Sequence, residues 1–139
     1  MIVIDAENII AGRLASYAAK KALMGEKVAI INCEKAAITG RKKDILAKYE
    51  RKTKMGHPFA GPFVSRMPDR LIRRIIRGML PWDRTRGRTA FRRIMCYIGV
   101  PEELKNKKTE KMYDNNVSTT KSPNYISLGE ISKNLGAKF

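Results

Sequence analysis

Two apolar runs near the start of the chain, "IVID" at 2–5 and "KVAIIN" at 27–32, limit the possible folds more than any other feature of the sequence. Neither alternates polar with apolar residues, so each reads as a strand covered on both faces, the pattern of parallel strands. The segment between them, "GRLASYAAKKALMG", is helical, with Leu14, Ala18 and Leu23 among its apolar residues and Gly25 placed to cap its C-terminus. The opening is therefore a βαβ unit, and the expected class is α/β. A short strand "AAIT" comes next at 36–39, then a helix over about Arg41 to Lys52 with Ile45, Leu46 and Tyr49 on its apolar face. Further on, "RIMCYIG" reads as another buried strand, closed by Gly99 and Pro101. The chain from 102 onward is polar and reads as irregular until Ser127, after which Leu128, Ile131 and Leu135 mark one short helix.

At 139 residues the chain is most simply one domain over 1–139, able to bury roughly two-thirds of the surface its unfolded form exposes. It needs neither disulfides nor a structural metal at this size. Cys33 and Cys96 both lie in apolar runs, where a reduced, buried thiol is the ordinary state, and this points to a reducing compartment. The N-terminal "MIVIDAENII" has no basic segment ahead of an apolar core, so no signal peptide is expected. No run approaches the roughly 18 apolar residues of a membrane span. A soluble, intracellular protein is the expectation.

The formal charge is +16, and its placement is more informative than its size. Residues 41–93 carry seventeen Lys and Arg against four Asp and Glu, whereas 1–40 carry five against four and 94–139 seven against five. Inside the basic segment, "PDRLIRRIIRGMLPWDRTRGRTAFRR" at 68–93 holds nine arginines. On a helix of about 100° per residue, Leu71, Ile72, Ile75, Ile76 and Met79 fall on one side and Arg70, Arg73, Arg74 and Arg77 on the other. Asp69 is its N-cap candidate, Pro81 ends it, and "RTRGR" reads as a loop that extends the stripe. Like charges three and four apart repel by a few tenths of a kcal/mol per pair, so the stripe needs a partner outside the helix. Ahead of it, "TKMGHPFAGPFVSRMP" at 53–68 contains three prolines and has no period. A loop this long is usually functional or held by a partner.

Phosphate is the partner that fits. Guanidinium is always charged and binds phosphate oxygens bidentately, and 12 of the seventeen basic residues in 41–93 are arginine. Ordinary surfaces mix Lys with Glu, and this helix has no acid after Asp69, which favours nucleic acid over a merely solvated face. Two helices also begin with Gly-Arg, at Gly12-Arg13 and at Gly40-Arg41-Lys42-Lys43. Cations there oppose the helix dipole unless an anion joins them, although simple turn glycines beside solvated arginines explain the pattern equally well. Phe59 and Phe63 have two readings, stacking on unpaired bases or anchoring the loop inward, the second being the commoner. Trp82 is ambiguous in the same way. His57 is the lone histidine and has no partner cluster that would make it a base or a metal ligand.

Catalytic readings find little support. The first turn, "DAENIIAGR", lacks the glycine pattern of dinucleotide binding, and no Walker sequence is present. Asp44, Glu50, Asp69 and Asp83 are spread over different elements rather than paired for metal-assisted chemistry. The cysteines have no zinc spacing, and a Cys–His57 nucleophile conflicts with buried thiols. An RNA-modifying enzyme on an α/β sheet stays open as a rival because Glu34 closes the second strand, where an acid would hold a ribose. A general polyanion or membrane-surface binder is the other rival.

Four ordered pieces, "VIDAENIIAGRLAS" at 3–16, "VAIINCEKAAITGRK" at 28–42, "GPFVSRMPDRLIRRIIRGMLP" at 61–81 and "RGRTAFRRIMCYIGVP" at 86–101, resemble the large-subunit ribosomal protein L13 (uL13) family. The ending "NYISLGEISKNLGAKF" is similar to its archaeal and eukaryotic branch, and the compact length to archaeal members. The resemblance implies a three-layer α/β/α fold around a small, mostly parallel four-stranded sheet, with a basic loop region and an irregular C-terminal tail over 102–139. It implies a non-enzymatic constituent of the large ribosomal subunit in the cytoplasm, without cofactor, metal or small-molecule substrate and off membranes, which supports subunit assembly and stability. The expected partners are large-subunit rRNA and neighbouring ribosomal proteins, with a monomer off the ribosome. The expected RNA-binding residues are Arg13, Arg41, Lys42, Lys43, His57, Phe59, Arg66, Arg70, Arg73, Arg74, Arg77, Arg84, Arg86, Arg88, Arg92 and Arg93.

Overall fold

The structure, a computed structural model, describes residues 1–110, 116–120 and 124–139. Its elements are β1 (Ile2–Asp5), α1 (Ala11–Leu23), β2 (Val28–Ile31), β3 (Ala37–Thr39), α2 (Lys42–Lys54), α3 (Pro68–Met79), α4 (Thr85–Arg92), β4 (Ile94–Cys96), β5 (Thr109–Glu110), β6 (Tyr125–Ser127) and α5 (Leu128–Asn134). Strands β4, β2, β1 and β5 lie in that order in one parallel sheet. This is the α/β class expected from the apolar runs and the small four-stranded parallel sheet that the family resemblance implies. All four residues of β2 are buried, as its continuous apolar sequence requires of a central strand.

Register sorts the strand residues by face. Ile4 pairs with Ile30 and Ile30 with Cys96, and this row, with Val28 and Ile94, joins the main core under α1, α3 and α4. The facing side of α1 is built from Ala11, Leu14, Ala15, Ala18, Ala19 and Ala22, and these small side chains let the helix approach the sheet and its neighbours closely. The alternate row, Val3 and Ala29 with Ile31, forms a smaller cluster on the other face with Leu104 of a 3-10 turn (Glu102–Leu104) and Tyr97. Among the described residues the two layers over the sheet are thus unequal, helices on one side and a turn on the other.

Several local expectations need correction. "AAIT" does form a strand, β3, but it pairs antiparallel with β6 in a separate two-stranded sheet. The fourth place in the parallel sheet belongs to β5, from the tail read as irregular. β5 and β6, two and three residues long, lie in polar sequence without an apolar run or a period, so only tertiary pairing reveals them. The tail positions 111–115 and 121–123 lie outside the described residues. The segment "RTRGR" opens α4 rather than forming a loop. Pro68 occupies the first position of α3 and Met67 its N-cap without a side-chain bond, so Asp69 sits inside the first turn, where its charge favours the helix dipole instead of capping a free N–H.

Candidate nucleic-acid interface

The face assignment of α3 holds at its centre. Leu71, Ile72 and Ile76 are buried, Arg70, Arg74 and Arg77 are exposed, and Ile75 and Arg73 lie half-buried between them. Met79, assigned to the apolar side, is 43 % exposed. Beyond Leu80 the chain turns so that α4 packs beside α1, and Gly87 makes the turn possible: a Cβ there would lie 2.0 Å from the Pro81 carbonyl oxygen. This docking sets Phe91 of α4 and Trp82 of the connection against the arginine stripe. The Arg73 guanidinium lies 4.6 Å from the Phe91 ring centre and that of Arg77 5.4 Å from Trp82. The two rings meet edge to face with centres 5.2 Å apart. Arg88 Nε donates to the Trp82 carbonyl at 3.1 Å, and Arg74 Nη1 donates to the Phe63 carbonyl at 2.9 Å, tying the proline-rich loop to α3.

Among the described residues no arginine of α3 or α4 forms an ion pair; the ion pairs there, such as Lys21–Glu26 and Lys35–Glu7, are made by lysines. Arg70, Arg84, Arg86 and Arg92 are exposed, and their side chains have no hydrogen-bond partner among these residues. The positive field of this face is consequently not neutralised from within, and its guanidiniums remain available to a polyanion. Arg93 is used differently: its Nη1 donates to the Ala22 carbonyl at 3.2 Å, at the C-terminus of α1. Arg66 is exposed beside Gly136.

The loop before α3 folds into a tight turn in which the His57 and Gly61 backbones bond to each other. Phe59 is 89 % exposed and Phe63 72 %, which overturns the inward-anchor reading of both. His57 is exposed as well; its Nδ1 accepts from the Phe59 N–H at 3.3 Å, and the two rings stand 5.6 Å apart.

The two Gly-Arg turns do not reach one sheet edge. The turn into α1 follows β1 of the parallel sheet, whereas that into α2 follows β3 of the other. Neither helix has a side-chain N-cap. Arg13, Arg41 and Lys43 are exposed, while Lys42 pairs with Glu130 at 3.2 Å. A Cβ on Gly12 would meet nothing within 4 Å, so that turn is sterically open, while Gly40 is required by its φ of 131°.

The carboxyl edge of the parallel sheet offers little to a cofactor. Asp5 Oδ1 accepts from Asn32 Nδ2 at 2.9 Å and from the Glu7 N–H at 3.1 Å. Glu34 Oε2 accepts from the Gly99 N–H at 3.1 Å, so the one acid suited to a ribose braces a turn instead. Cys33 and Cys96 are buried and free, as expected. The neighbouring Cys96 thiol, together with burial, pushes the Cys33 thiol up, away from nucleophilic thiolate character, and Cys33 Sγ donates to the Ile30 carbonyl at 3.6 Å. Among the described residues no three His, Cys, Asp or Glu side chains converge to hold a metal ion, and no helix is long and apolar enough to cross a membrane.

Comparison with known proteins gives the family of the chain. Residues 1–103 match the family model described as ribosomal protein L13. The large ribosomal subunit protein uL13 of Methanopyrus kandleri is 48 % identical over 136 residues, covering 96 % of this chain and 86 % of that protein. Those of Methanosarcina barkeri and Methanocaldococcus jannaschii are each 45 % identical, with both chains covered in full. The family match spans the βαβ unit, the arginine helix and α4, and the full-length archaeal relatives carry the similarity through the tail: the chain belongs to the ribosomal protein L13 family.

Proposed function

We propose that this protein is a structural constituent of the large ribosomal subunit in the cytoplasm, that it binds rRNA through arginine and lysine contacts to phosphate, and that it supports assembly and stability of the subunit. The observation that carries this reading is the face formed by α3 and α4, where arginines are held in place by aromatic rings and backbone carbonyls yet have no acidic partner among the described residues. A family of ribosomal proteins, rather than of enzymes, is the setting for that surface. The chain acts by positioning RNA and performs no reaction. Its other neighbours are ribosomal proteins, and off the ribosome it is a monomer. Arg70, Arg73, Arg74, Arg77, Arg84, Arg86, Arg88 and Arg92 form the centre of the RNA surface. Arg13, Arg41, Lys42, Lys43, His57, Phe59 and Arg66 extend it.

The test is sedimentation of native cell extract through a high-salt sucrose gradient, with each fraction probed for this chain. Stoichiometric recovery with the large subunit is the expected result. Release to the top of the gradient would replace an integral constituent with a loosely associated polycation.

A further inference from the structure

The groove between α3 and the α3–α4 connection differs from the rest of the basic face in being partly aromatic. Phe63, Trp82 and Phe91 line it together with Arg70, Arg73 and Arg77. Phe91 and Trp82 hold Arg73 and Arg77, but phosphate binding makes no use of the exposed ring of Phe63. Phe63 leaves 72 % of its surface in water while its own carbonyl is held by Arg74, so its ring is presented rather than buried. Trp82 is 39 % exposed and carries Arg77 against one ring. The groove therefore sets apolar ring surface and oriented guanidinium planes beside unpaired cations. At about 360 Å³ it has room for one nucleotide.

A double helix offers phosphates to such a surface but keeps its base faces stacked inside. An unpaired nucleotide offers both, and bases of this kind stack on aromatic rings and on arginine planes. Resting on the rRNA reading above, we infer that this groove is a stacking subsite for a single unpaired RNA nucleotide, whose base lies on Phe63 and Trp82 and whose phosphate meets Arg70 and Arg77. The protein then selects a bulge or splayed loop in RNA, and not duplex backbone alone.

Trp82 is the single tryptophan of the chain, so its fluorescence reports the groove directly. The full-length protein is titrated at fixed salt with octaadenylate, with an abasic ribose-phosphate strand of equal charge, and with a blunt RNA duplex. Octaadenylate is expected to quench Trp82, and the abasic strand to bind about tenfold more weakly without quenching, a loss within the range of one stacked base. Phe63→Ala, at an exposed ring whose loss leaves the core untouched, is expected to weaken octaadenylate about tenfold and leave the duplex unchanged. Equal affinity for octaadenylate and the abasic strand, or an equal loss on strand and duplex in Phe63→Ala, overturns the subsite while leaving RNA binding in place. Failure to bind any of the three probes removes the RNA reading itself.

Discussion

Arg93 belongs to the same run as Arg86 and Arg92, yet its guanidinium donates to the Ala22 carbonyl at 3.2 Å, while those two are exposed without a partner among the described residues. A cation at a helix C-terminus is favoured by the dipole as well as by the bond, together on the order of 1 kcal/mol. Arg70 and Arg86 have no such role. Replacing either with Gln is expected to leave the thermal midpoint unchanged and to lower the slope of log affinity for rRNA against log salt by about 0.7 to 0.9, the share of one phosphate contact. Arg93→Gln is expected to do the reverse, costing about 1 kcal/mol in denaturant melts with the salt slope intact. A fall in slope for Arg93→Gln would place its side chain on RNA and not on α1.

At the scale of elements, the interface depends on how α4 follows α3. Nothing in the α4 sequence alone aims Phe91 at Arg73; the close passage of Gly87 past Pro81 does. Any side chain at Gly87 collides with the Pro81 carbonyl, and a backbone atom cannot rotate aside. Gly87→Ala is expected to destabilise the fold by about 1–3 kcal/mol, the usual cost of overpacking, and to move α4 away from α3. The second effect shows as a change in Trp82 fluorescence of the free protein, since Trp82 meets Phe91 edge to face. An unchanged spectrum and melting point would mean that the connection has slack that its geometry does not suggest.

For the whole molecule, the part with the least readable sequence completes the core. The family match covers residues 1–103, but Leu128 and Ile131 of α5 are fully buried, and a Cβ on Gly129 would already stand 3.0 Å from the Glu34 carbonyl oxygen. The tail thus contributes β5 to the parallel sheet, β6 to the small sheet, and α5 to the main hydrophobic cluster. Ile131→Ala is expected to cost about 2–5 kcal/mol, which is a large part of the stability of a chain this size, and to be seen as an earlier cooperative unfolding of the entire protein. Loss confined to α5, with the rest melting as before, would show the tail to be an appendage.

What the sequence by itself determined is whatever has a period or a local charge pattern. The continuous apolar runs of β1 and β2, the helical spacing of α1, and the separation of Arg70 and Arg77 from Ile72 and Ile76 follow from the pleat, the 3.6-residue turn and the cost of burying guanidinium. The partners of those elements are set by contacts between residues far apart in the chain, on which local spacing is silent. Tertiary structure alone decided that β3 pairs with β6, that two residues of the polar tail complete the sheet, that Phe59 and Phe63 face outward, and that Arg93 holds α1. Strands of two or three residues have no readable period, and an exposed ring has the same sequence as a buried one, so only the assembled core reveals which positions it has room to cover.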